Sequence, residues 1–301
     1  MTVTASQVRE GAAQARRGDC KASRMPEQAI RAGDVTLAVS DDGAGIPVVL
    51  LHGLTASRRY VVMGSQALQR AGHRVVAYDA RGHGASSPAP APGAYGYGAL
   101  TADLVAVLDA LGLERAVLAG ASMGAHTILR LALAQPERVA AVAVITPGYD
   151  PVEFDDPKRL ARWDALADAL RGGGANAFVE AFGVQRLPAA WRDTIATVMR
   201  QRLALHEHPD ALADALRAVP RSRPFADLHA LEQIECPVVV VASRDEADPG
   251  HPLALGEAYA ELLPRGRLLV EEPGGSPLAW QGGRLSKIIA ELAARADLAR
   301  R

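Results

Sequence analysis

The stretch RAVLAGASMGAHTILRLALAQ, residues 115–135, decides the fold. RAVLAG (115–120) is a short apolar run that reads as a strand. Apolar residues at helical spacing follow from Met123 to about Gln135. Between them lies GASMG (120–124), a serine flanked by glycines where strand must turn sharply into helix. That context is what the G-x-S-x-G pattern requires. The glycines permit close backbone approach, and Ser122 Oγ projects at the helix N-terminus. Free N–H groups and the positive end of the helix dipole there favour a developing anion. Ser122 is therefore the candidate nucleophile.

Strand and helix alternate outward from this turn. PVVLLHG (47–53), HRVVAYD (73–79), VAAVAVIT (139–146), PVVVVAS (237–243) and GRLLVEE (266–272) are continuous apolar runs. Such runs suit strands buried on both faces of a parallel sheet. LTADLVAVLDALGL (100–113), HPLALGEAYAELLP (251–264) and RLSKIIAELAARADLA (284–299) carry helical spacing. VTLAVS (35–40), closed by DDGAG, is an edge-strand candidate. Residues 151–230 contain helical segments and no convincing strand. The expected organisation is an N-terminal extension (1–33), an α/β core (34–150 and 231–301) and an inserted helical cap (151–230).

Composition narrows the class. The chain has 301 residues, 49% hydrophobic and 22% charged, with a formal net charge of −1. No basic patch or tail suggests a nucleic-acid or anionic-membrane partner. Cys20 and Cys236 are too few and too far apart for a disulfide framework or a cysteine zinc site. No apolar segment has signal-peptide or membrane-spanning character. These readings imply a cytoplasmic protein that acts on a small molecule. Neither metal-ligand spacing nor G-x-G-x-x-G is present, so no metal or nucleotide cofactor is implied. The sequence dictates no oligomeric state.

LHG (51–53), YDARGHGAS (78–86) and GASMG (120–124), in this order and spacing, resemble the α/β-hydrolase superfamily. The resemblance covers roughly residues 34–298. It implies a mostly parallel sheet of about eight strands and makes the helical block a cap. It also implies an oxyanion hole of two backbone N–H groups, from Met123 after the nucleophile and from Leu54 after the His-Gly pair. By the same resemblance His52 has no part in proton transfer and lines the site or shapes its loop, and His83 shapes a loop. His126 falls on the nucleophile helix and reads as a buried neighbour of the serine.

The acid of a catalytic triad belongs in SRDEADPGHP (243–252), which offers Asp245, Glu246 and Asp248. The family's D-P-x-x-P pattern favours Asp248. The base departs from the pattern. Superfamily members carry a histidine after the last strand, whereas this chain has EEPGGSPLAW (271–280), with Ser276 near the expected position and no histidine beyond His251. His251 is the candidate for a relocated base, and cap residues His206 and His208 are alternatives. Ser276 and Trp280 are candidates for shaping the substrate pocket. Arg58 and Arg59 in SRRY (57–60), and Arg221 and Arg223 in PRSRPF (220–225), are candidates for holding a substrate carboxylate.

Three functions fit these residues. The first is a serine-dependent esterase or lactonase acting on a small acyl substrate. The second is a lyase, cyclase or acyl transferase on the same scaffold. The third is a ligand-binding protein without turnover.

Overall fold

The computed structural model describes residues 27–244, 248, 250–275 and 280–298. Eight strands form one sheet: β1 (Glu27–Ala32), β2 (Val35–Asp42), β3 (Ile46–Leu51), β4 (His73–Tyr78), β5 (Ala116–Ala121), β6 (Val139–Ile145), β7 (Val238–Ala242) and β8 (Gly266–Val270). Their order is β1-β2-β4-β3-β5-β6-β7-β8. The pairings β1–β2 and β2–β4 are antiparallel and the rest are parallel.

The edge differs from the expectation. VTLAVS lies inside β2, one strand in from the edge, and β1 falls within the stretch read as an extension. A two-residue turn, Gly33-Asp34, joins Ala32 to its partner Val35. Gly33 has φ +61°, a conformation that favours glycine and suits a tight hairpin. Ile30 and Ala32 are buried while Glu27, Gln28 and Ala29 are exposed, so only the end of β1 nearest the turn contributes to the core.

The helices are α1 (Ala67–Arg70), α2 (Tyr97–Ala110), α3 (Met123–Ala134), α4 (Pro157–Phe182), α5 (Ala189–Leu203), α6 (Pro209–Ala218), α7 (Leu253–Leu262) and α8 (Gly282–Leu298). Alternate residues of each central strand feed opposite layers, the period-2 rule of a pleated sheet. Val49, Leu118, Val142 and Val240 pack with Leu104, Ile128 and Tyr259 of α2, α3 and α7. Val48, Val117, Ala141 and Val239 pack with Leu285, Ile289 and Ala293 of α8. Each fully buried Val, Leu or Ile contributes about 1.5–3 kcal/mol. This is why the strands read as unbroken apolar runs.

Helices α4, α5 and α6 lie between β6 and β7 in the chain. Asp156 caps α4, accepting from the Lys158 and Arg159 N–H groups at 3.0 and 3.3 Å. Gly174, with φ +63°, kinks it within the GGG run, and Gly183 ends it in the left-handed conformation. Leu166, Leu170 and Phe178 of α4 meet Leu212 and Leu216 of α6 in one apolar cluster. That cluster also takes in Leu54 and Met123, so the helical block rests on the two residues expected to form the oxyanion hole. No helix among the described residues is long and apolar enough to cross a membrane.

Candidate active site

Ser122 stands between β5 and α3 with φ +47° and ψ −110°, a strained conformation for a residue with a side chain. Both glycines of GASMG have a steric reason. A Cβ on Gly120 would lie 2.5 Å from the Gly124 carbonyl carbon, and one on Gly124 would lie 2.3 Å from the Leu51 carbonyl oxygen. The turn therefore fits only where two backbones touch. The Ser122 N–H donates to Ile145 O at 2.9 Å, which ties the turn to the end of β6.

His251 Nε2 lies 2.8 Å from Ser122 Oγ, and His251 Nδ1 lies 2.8 Å from Asp248 Oδ2. The serine, the imidazole and the carboxylate thus form one hydrogen-bonded relay. The local turn accounts for the last pair. The His251 N–H donates to Asp248 O at 3.0 Å, bringing side chains three residues apart to the same side. Topology accounts for the first. The loop follows β7, which pairs with β6, which pairs with β5, so it opens at the same carboxyl edge as Ser122.

Electrostatics oppose one another in this pair. Burial pushes the Asp248 carboxyl up, but the facing imidazole and its hydrogen bond hold it below the usual carboxylate range. Burial pushes His251 down, but the Asp248 charge and hydrogen bond hold it above the ordinary histidine value. An imidazole so placed accepts a proton readily, and the carboxylate fixes which ring nitrogen faces the serine.

The loop after β6 makes room for the ring. A Cβ on Gly148 would lie 2.7 Å from His251 Cδ2 and 3.2 Å from Nε2. His126 holds that loop. Its Nε2 accepts the Gly148 and Tyr149 N–H groups at 3.1 and 3.2 Å, and its Nδ1 lies 3.0 Å from the Tyr97 hydroxyl. Burial, with the nearby His251 charge, pushes the His126 pKa down to about 3. It is a neutral post behind the site. The sequence pattern pointed to a buried neighbour but not to its work on the Gly148 loop.

The oxyanion candidates Leu54 and Met123 adjoin the nucleophile turn. Gly53 packs against the nucleophile turn: a Cβ there would sit 3.4 Å from Ala121 O and 3.7 Å from Ser122 Cβ. Among the described residues, neither the Leu54 nor the Met123 N–H donates to a protein acceptor. Met123 is the first residue of α3, where the N–H has no partner within the helix. His83 Nε2 lies 2.9 Å from Leu54 O and braces the loop from behind.

Other sequence candidates fall elsewhere. His52 is 2% exposed. Its Nε2 accepts the Ala80 N–H at 2.9 Å and its Nδ1 lies 2.8 Å from Gly53 O, so both ring nitrogens are engaged in shaping the loop. Burial and the adjacent His83 push its pKa down to about 3. It braces the loop and offers a ligand no free ring nitrogen. Trp280 is likewise a packing residue, 8% exposed, because its indole N–H finds an acceptor in Ala242 O at 3.2 Å. His206 reaches down from the helical block, but to Gly84 N at 2.9 Å rather than to the serine. His208 stands at the start of α6, on an open groove with Pro88–Pro92. Asp245, Glu246 and Ser276 lie outside the described residues.

The carboxylate-binding candidates are largely occupied. Arg58 pairs with Asp79 and Glu27, Arg221 with Asp164, and Arg223 with Asp155. Arg59 is exposed. No cluster of three or more metal-ligating side chains occurs among the described residues.

The alpha/beta hydrolase fold family matches residues 46–282. The chain is an α/β-hydrolase. Its relatives include a protein named "Putative carbamate hydrolase RutD" from Pseudomonas savastanoi pv. phaseolicola, 30% identical over 233 residues. The match spans 76% of this chain and 85% of that protein. A protein of the same name from Variovorax paradoxus is 33% identical over 208 residues, 67% of this chain and 75% of that protein. Among solved structures, a thermophilic esterase from Thermogutta terrifontis with malate bound superposes with a TM-score of 0.73 at 25% identity. It covers 90% of this chain and 99% of its own. The enol-lactonase from Burkholderia xenovorans, at 21% identity and a TM-score of 0.70, shares the fold over 89% of this chain and 100% of its own. This α/β-hydrolase is thus a hydrolase by kinship.

Proposed function

We propose that this α/β-hydrolase cleaves small esters, lactones or related acyl compounds through Ser122, with His251 as base and Asp248 as its orienting carboxylate. The observation that carries the reading is the Ser122–His251–Asp248 relay, with 2.8 Å at both contacts.

In this mechanism His251 Nε2 takes the Ser122 hydroxyl proton as Oγ attacks the substrate carbonyl. The tetrahedral oxyanion is met by the Leu54 and Met123 N–H groups. Removing one such donor typically costs about 2.7–4 kcal/mol. The imidazolium, stabilised by Asp248, then gives its proton to the leaving oxygen or nitrogen, and an acyl-serine remains. Water, deprotonated by His251, attacks the acyl carbon, and collapse returns the proton to Ser122 Oγ. No histidine follows β8 in the sequence, and His251 in the loop after β7 supports hydrolysis over the reaction classes that need a weaker base.

The names of the relatives favour one refinement. A carbamate presents the same carbonyl to the serine, with a nitrogen or oxygen leaving group that also needs the His251 proton. The Leu54 and Met123 side chains, clustered with Leu203 and Leu212, favour a compact, largely apolar substrate body.

The test offers short-chain p-nitrophenyl esters, a small lactone and a carbamate to the purified protein, beside Ser122→Ala and His251→Ala. A fluorophosphonate probe should label the protein and leave Ser122→Ala unlabelled. Activity in His251→Ala should fall by at least about 10²–10⁴-fold. Labelling at wild-type rate in His251→Ala would overturn the assignment of the base.

A further inference from the structure

We propose that Arg202 is a binding site for a carboxylate on the substrate, so that this α/β-hydrolase prefers acyl substrates bearing a negative group. The inference rests on the proposed reaction, because it adds a subsite to the same centre.

Arg202 is the penultimate residue of α5. The chain just beyond it docks on the core loops around the serine. His206 meets Gly84 N at 2.9 Å and lies 3.4 Å from Thr55 O, and the Glu207 N–H donates to Gly84 O at 2.9 Å. This docking holds the end of α5 above the oxyanion loop. The Arg202 guanidinium lies over the Tyr60 ring, 5.2 Å from its centroid. It is also close enough to the catalytic pair for its charge to lower the pKa of both Asp248 and His251.

The guanidinium is half-buried, and its Nε is buried with no hydrogen-bond partner among the described residues. It makes no ion pair with any described residue. A desolvated cation without a partner is costly, and the Tyr60 face offsets only part of that cost. Burial accordingly holds its pKa below the ordinary arginine value. Arg58, Arg221 and Arg223 already hold Asp79, Asp164 and Asp155. Arg202 differs from them in combining a buried Nε–H that has no hydrogen-bond partner among the described residues with an electrostatic effect on His251.

The chemistry of that edge selects the ligand. Nε–H and one Nη–H of a guanidinium form a planar fork that matches the two oxygens of a carboxylate. Phosphate is a poorer match, because it would bring a second charge into a site that already holds the Asp248 carboxylate. A carboxylate one short acyl chain from the scissile carbonyl would satisfy Nε while the carbonyl sits at Ser122. Its charge would also screen the Arg202 field at His251 and so strengthen the base when substrate is bound.

The experiment pairs p-nitrophenyl butyrate with mono-p-nitrophenyl glutarate, which differ by a terminal carboxylate, against wild type, Arg202→Gln and Arg202→Lys. A second arm measures glutarate binding by calorimetry to Ser122→Ala and to Ser122→Ala/Arg202→Gln, which needs no turnover. Wild type should favour the anionic ester in kcat/KM. Arg202→Gln should lose at least about 10-fold more on it than on the neutral ester, so the ratio of the two kcat/KM values carries the test. Arg202→Lys should recover part of the loss, since charge remains but the fork does not. Glutarate should bind Ser122→Ala and fail to bind the double variant. Equal losses on both esters would show a merely structural role and overturn the inference. So would glutarate binding that ignores Arg202. If neither ester is cleaved yet glutarate binding still depends on Arg202, the proposed reaction fails and the carboxylate site stands.

Discussion

Replacing Gly148 with alanine tests the relay from outside it. The new Cβ would sit 2.7 Å from His251 Cδ2 and 3.2 Å from Nε2. Carbon atoms in contact settle at about 3.5–4.0 Å, so the ring must retreat by about 0.8 Å or more. If Nε2 moves with it, its 2.8 Å contact with Ser122 Oγ stretches to about 3.6 Å, outside hydrogen-bond range. The ring cannot swing freely, because Nδ1 is held 2.8 Å from Asp248 Oδ2 and Gly250 O bounds the same space. A misplacement near 1 Å costs about 10²-fold in rate, equivalent to about 2.7 kcal/mol of transition-state stabilisation. Stability should fall as well. Gly148 is not among the residues with positive φ, so alanine suits its backbone and the cost comes from the 2.7 Å contact with the ring. The expected effect is about 1–3 kcal/mol of destabilisation, less than is needed to unfold the chain. The assay is kcat/KM on a p-nitrophenyl ester and the fluorophosphonate labelling rate, each beside a thermal melt. Gly172→Ala, which meets nothing within 4 Å, is the control. A folded Gly148→Ala protein with wild-type kcat/KM would refute the reasoning, because the imidazole would not then occupy this place during turnover.

Three further outcomes follow from the same geometry. His251 is held above the ordinary histidine value, and only its neutral form can take the serine proton. The kcat/KM profile should therefore rise with pH through a midpoint above about 6.5, and Asp248→Asn should move that midpoint down as well as lower the plateau. An ascending limb centred below 6.5 in wild type would contradict this. His52, His126 and His206 are each pushed down to about 3 by burial, with neighbouring histidine charge adding to it. Neutral in the fold and protonated when unfolded, they keep their stability above pH 6.5 and lose it as pH falls from about 6.5 toward 3. The loss is about 2 kcal/mol per histidine at pH 5, and denaturant titrations at pH 7.5 and 5 measure it. Gly124→Ala drives a Cβ to 2.3 Å from the Leu51 carbonyl, backbone against backbone, and should destabilise by about 1–3 kcal/mol or more while abolishing probe labelling. A melt unchanged from wild type would deny the close approach.

The central strands and the nucleophile turn were legible in the sequence, while the edge strand β1 lies in a stretch that reads as part of an N-terminal extension. Unbroken, β-branched runs such as VVVVA and VAAVAVI suit strands covered on both faces, and GASMG between strand and helix suits a sharp nucleophile turn. These are local signals, fixed by side-chain period and by glycine sterics. The acid and base were legible only as candidates. DPGH shows a carboxylate and an imidazole three residues apart, but not that their turn faces Ser122, 129 residues away in the chain. That depends on β7 lying two strands from β5, a fact of strand order. EEPGGSPLAW holds no histidine, and only the tertiary structure brings the His251 ring to Ser122. The contacts of Gly148, His126 and Arg202 were hidden for the same reason. Each acts on a partner brought close by packing. A glycine, a buried histidine or a cap arginine has no sequence pattern that distinguishes it from its many ordinary counterparts.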